Sequence, residues 1–204
     1  MMRETVAITP EQAEAAYQLC GEGWKTALEN EEAAKEEERQ LLKIYSALRM
    51  QLASSEKAFL AADSEALQST MYLRDTAPDQ RRVVETLKVD AVFMKRAAEF
   101  MSLYPLEDAR IKTLEAAALS AAAQYEFEKS RSELHSAKLL GIISAAAQMN
   151  GGTLQIQDGG LAEGLRRLVG EMFDRMNSAR RAAKDYRVEV SQRRDEFKKK
   201  EHQQ

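Results

Sequence analysis

A single cysteine in 204 residues leaves this chain no intramolecular disulfide and no cysteine-based zinc site. Nine glycines and three prolines leave little chain for loops, and only 6% of the residues are aromatic. Packing must therefore come from many small contacts rather than a few large anchors. The two histidines belong to no Glu-x-x-His or His-x-x-x-His pair, which argues against a carboxylate di-iron centre of the kind helical bundles hold. Gly21-Glu22-Gly23, Gly151-Gly152 and Gly159-Gly160 lack the Lys-Ser/Thr pair of a phosphate loop, and no nucleophile has a base nearby in sequence. The expectation is a non-enzymatic chain with no cofactor and no metal. No apolar run approaches the ~20 residues of a transmembrane helix, and MMRETVAITPEQ has no signal-peptide core. A cytoplasmic protein, at most peripheral at a membrane, is expected.

What the chain has in abundance is helix formers and a heptad. Steps of three and four residues from Ala13 meet Tyr17, Cys20, Trp24, Ala27, Glu31, Ala34, Glu38, Leu41, Tyr45, Leu48, Leu52, Ser55, Phe59, Ala62, Ala66, Ser69 and Leu73. Only Glu31, Glu38, Ser55 and Ser69 are not apolar, and such spacing keeps one stripe against a partner helix. Thr9, Pro10, Glu11 and Gln12 form a helix start, with Gln12 placed to reach back as a capping box. The first helix is predicted over residues 10–74, through Gly21 and Gly23, which each cost roughly 1 kcal/mol against Ala. Asp63-Ser64 is a second weak place, but the heptad phase continues through both.

Asp75 to Asp79, with Pro78, is a turn, and Thr76 resembles a cap for the next helix. The second helix is predicted over 78–149. Its early stripe (Val84, Leu87, Ala91, Met94, Ala98, Met101) and its later one do not join in phase. The later stripe runs Ile111, Leu114, Ala118, Ala121, Tyr125, Glu128, Ser132, His135, Leu139, Ile142, Ala146, Met149. Pro105 sits at the slip and predicts a kink near Leu103–Leu106. Asn150-Gly151-Gly152 ends this helix, and a third follows over 160–198, with 201–204 as a frayed tail. Thr5–Ile8 and Thr153–Gln157 alternate like short strands; they either pair as a small ribbon or remain independent loops. The fold expected is all-α: an elongated antiparallel three-helix bundle or coiled coil, kinked near Pro105, forming one domain over 9–200 behind a tail or short strand at 1–8.

The net charge of −3 is unevenly spread. Residues 1–75 carry 8 Lys/Arg against 14 Asp/Glu, net −6, and residues 160–204 carry 12 against 8, net +4. Glu31 and Glu38 fall on the stripe itself, where unpaired carboxylates are costly. The seam is expected to open there, or to admit Arg and Lys from a neighbouring helix, with the basic third helix a candidate. Glu31 and Glu38, with Arg180, Arg181, Lys184 and Arg187, are the candidate partner-binding residues. Acidic side chains interleave the basic ones and few aromatics accompany them, so nucleic acid is a poor fit.

Leu42, Ile44, Leu60, Phe93, Phe100 and Phe173 are among the apolar residues that widen the stripes beyond a two-helix seam. They predict self-association, with a dimer favoured, and a scaffold or assembly role with a further protein partner. Three long helices with a kink at Pro105 also resemble the topology of the BAR domain. That resemblance implies a dimer on an anionic membrane surface that senses or shapes curvature.

Overall fold

The computed structural model describes residues 8–73, 78–149 and 159–202. Four α-helices follow one another: α1 (Pro10–Leu73), α2 (Pro78–Leu103), α3 (Pro105–Met149) and α4 (Gly159–Glu201). The chain is all-α, with no strand among the described residues. Thr5 to Ala7, the cap at Thr76, and Thr153–Gln157 lie outside the described residues. So does the end of the tail beyond His202.

Each predicted boundary has a local cause. At the start of α1 the Thr9 Oγ1 accepts from the Gln12 amide at 3.3 Å, and the Thr9 amide donates to Gln12 Oε1 at 3.1 Å. This reciprocal capping box satisfies two of the amides that a helix start leaves unpaired. The same helix start holds the Glu11 carboxyl below its ordinary range, through its backbone amide and then the Thr9 hydroxyl. α1 is unbroken through both glycines and through Asp63-Ser64. The predicted kink appears as a one-residue turn at Tyr104 between α2 and α3. The Tyr104 amide still donates to the Phe100 carbonyl, and the Asp108 amide to the Tyr104 carbonyl. Pro105 has no N–H to continue the ladder, and it is well placed as the first residue of α3.

The chain divides into two compact units. The first holds α1 up to Ala33, α3 from Leu114 and α4 to Arg194; the second holds α1 from Ala34, α2, α3 to Thr113 and α4 from Asp195. In both, α1 turns the stripe read from the sequence inward. From Ala13 to Ala66 every stripe residue is buried or half-buried.

In the first unit α1 and α3 run antiparallel. Lys138 Nζ meets Glu14 Oε2 at 2.7 Å, and the Phe127 ring lies 5.0 Å from both Tyr17 and Trp24, centroid to centroid. The same ring lies against Gly21, where a Cβ would stand at van der Waals contact, 3.4 Å from Phe127 Cε2.

In the second unit the Thr113 hydroxyl lies 3.3 Å from the Ala34 carbonyl of α1. α2 packs along α1 as well, with Tyr45, Leu52, Ala98 and Leu103 around one cleft and Ala62, Ala66 and Val84 around another. Phe197 of α4 meets Tyr104 edge-on at 5.9 Å, beside Phe100.

α3 carries most of the core. Leu106, Ala109, Ile111, Ala117, Ala118, Ala121 and Leu134 are its buried apolar residues. Its stripe behaves as expected only to Ser132, because His135, Leu139 and Ile142 are exposed. The reason is that α3 has two neighbours and so two stripes. Contacts to α1 come from Arg110, Thr113, Phe127 and Lys138, and contacts to α4 from Glu115 and the stretch near Tyr125. Beyond Ser132 the buried position, Leu134, belongs to the α1-facing set.

Leu106, 1% exposed, is the largest fully buried side chain among the described residues. Leu106→Ala is expected to lower the unfolding free energy by about 3 kcal/mol, read by chemical denaturation, whereas Met50→Ala, at a site 75% exposed, should change it by less than about 0.5 kcal/mol.

Candidate functional site

The six residues singled out by charge pattern fall in two places. Glu31 and Glu38 are half-buried on the α1 stripe. Glu38 Oε1 lies 3.7 Å from Arg110 Nε of α3, and Glu37 Oε1 lies 3.9 Å from Lys112 Nζ. In the second unit Arg110 and Lys112 of α3 thus reach the acidic run, at Glu38 and Glu37. Lys112 is also bound to Asp108 at 2.9 Å, and that hydrogen bond, with the nearby charges, raises its pKa above the ordinary lysine value. The Gln40 side-chain amide donates to Glu36 at 2.5 Å and, with Arg39, holds that carboxyl below its ordinary range. A depressed carboxylate pKa stabilises the fold above the ordinary carboxylate range and is lost as the pH falls through it.

Arg180, Arg181, Lys184 and Arg187 gather within the first unit. They occupy two turns of α4 at helical spacing, so Arg180, Lys184 and Arg187 share a face. With Ala183 and Val188 of α4, and Ala122, Ala123, Tyr125 and Glu126 of α3, they line an open groove of about 830 Å³. Its floor is small and apolar. Its rim holds four cations against one carboxylate, and that carboxylate, Glu126, lies 3.9 Å from Lys129.

Several other basic residues of α4 are paired: Arg167 with Glu171, Arg193 with Glu189, and Arg194 with Glu115. Among the described residues, none of the four groove cations has an ion-pair partner. Charge pattern found the α4 wall of this groove. It missed the α3 wall, whose signal was the alanine run 121–123, of which Ala122 and Ala123 line the groove.

One buried carboxylate stands apart. Glu128 is 4% exposed, its Oε2 accepts no hydrogen bond, and Arg131 of the same helix approaches it at 3.6 Å. Cys20 is half-buried on the α1 stripe, as its heptad position implies. His135 is exposed, and its Nδ1–H donates to the Arg131 carbonyl at 2.9 Å. No group of three or more His, Cys, Asp or Glu could hold a metal ion among the described residues. No described helix is long and apolar enough to cross a membrane. Comparison with family models, with curated proteins and with solved structures finds no match.

The Glu38–Arg110 contact is a charge pair built into an apolar seam. Arg110→Met alone, which leaves a half-buried carboxylate with less compensation, should destabilise the fold by about 1 kcal/mol. Adding Glu38→Leu should recover that loss or exceed it, as measured by urea unfolding of the single and double variants.

Proposed function

We propose that this chain is a non-enzymatic assembly protein that works by helix-mediated association with further copies of itself and with a protein partner. One observation carries the reading: the large apolar side chains face outward. Among the described residues 19 large hydrophobic side chains are exposed, whereas the buried apolar set contains only four larger than alanine, namely Leu106, Ile111, Leu134 and Met172.

The imbalance is sharpest where α1 and α2 pack on each other. Ala98 is the one apolar residue of α2 in the buried set, while Val89, Val92, Phe93 and Phe100 are 45–66% exposed. Two helices joined by one seam bury too little to account for side chains of this size on the outer face. Pairing with another copy removes them from water, at roughly 25 cal/mol per Å² of apolar area.

Light scattering on the purified chain at micromolar concentration is the test. The expected mass is a multiple of 23.0 kDa, with the dimer the simplest case. A particle of 23.0 kDa at every concentration contradicts the proposal.

A further inference from the structure

We infer that the α3–α4 groove is filled by the N-terminal part of α1 from a second copy of the chain, an inference that rests on the self-association proposed above. The groove asks for an anionic occupant, since Arg180, Arg181, Lys184 and Arg187 rim it with no carboxylate partner of their own among the described residues. It asks for a slender one, since Ala122, Ala123 and Ala183 form the floor and helices meet at smaller separations where the contact side chains are small.

α1 offers such a face on the side away from its seam. Ala15, Ala16, Leu19, Gly23 and Thr26 lie within about one third of a turn and are all exposed, with Leu19 at 70%. A Cβ built on Gly23 meets nothing within 4 Å, so this face is open to a close approach. Glu22 and Glu29 flank it on one side, and both are exposed.

An apolar ridge of small residues edged by carboxylates thus matches an apolar floor of small residues rimmed by cations. Leu19 is the one large side chain on the ridge and supplies the anchor that a groove-docked helix needs. Groove and ridge both belong to the first unit, so a two-fold axis can use each of them twice and close the pair as a dimer. A bilayer is a poorer occupant, because it presents a flat surface to cations that line a concavity.

Charge reversal tests this with a built-in rescue. One full-length variant carries Arg180→Glu and Lys184→Glu, the other Glu22→Lys and Glu29→Lys. All four sites are solvent-exposed, so the helical circular-dichroism signal serves as the check on folding. In either variant alone groove and ridge have like charge, and the dimer should weaken at least tenfold. In an equimolar mixture every groove meets a ridge of opposite sign, and the wild-type mass should return.

Variants that keep the wild-type association, or a mixture that does not recover it, overturn the inference while leaving self-association intact. A wild-type chain that is itself monomeric removes both readings. A groove-reversed variant with unchanged mass that no longer co-sediments with phosphatidylserine vesicles would assign the cations to a membrane instead, and also overturns it.

Discussion

The structure depends on a seam made largely of alanine. Among the described residues, eight of the twelve buried apolar ones are alanines, on all four helices: Ala13, Ala98, Ala109, Ala117, Ala118, Ala121, Ala179 and Ala183. Small side chains draw helix axes together and favour helix propagation, but each removes little apolar surface from water. Such a seam fixes register without supplying a deep core. The larger apolar residues, Phe93, Phe100, Leu119, Leu140 and Phe173 among them, then remain outside at 58–66% exposure. Exposure on this scale is a consequence of how the interior is built, and it is the observation on which the proposed association rests.

Charge is arranged around the same seam. Where α1 places Glu38 on its stripe, α3 supplies Arg110, and Lys112 of α3 meets the neighbouring Glu37. Exposed i,i+3 and i,i+4 pairs such as Arg39–Glu36 and Arg167–Glu171 add little to the stability of the fold. In the groove between α3 and α4, the four cations have no ion-pair partner among the described residues and stand over small side chains.

Much of this was legible in the sequence, element by element. The heptad from Ala13 named the inward face of α1 correctly through Ala66, because a single periodicity suffices for a helix with one row of contacts. Thr9 with Gln12 gave the capping box, and Pro105 gave the break, since both act through backbone chemistry within one turn. The second stripe of α3 was hidden. A helix packed on two sides is apolar nearly all round, so its periodicity weakens and phase alone does not say which neighbour each residue meets. The packing of Phe127 was hidden for a related reason: Gly21 reads as a helix weakness until the ring that lies against it is seen. Of the candidate site, the basic wall was legible as charge, while its α3 wall needed the helix pairing that only the fold supplies.

The central claim is that one copy of this chain leaves its apolar surface incomplete and another copy completes it. Folding is then coupled to association, and the thermal midpoint must depend on protein concentration. Melting followed by circular dichroism over a hundredfold range of concentration tests this most directly. The account predicts a midpoint that climbs steadily with concentration; a reversible transition whose midpoint stays fixed across the whole range would contradict it.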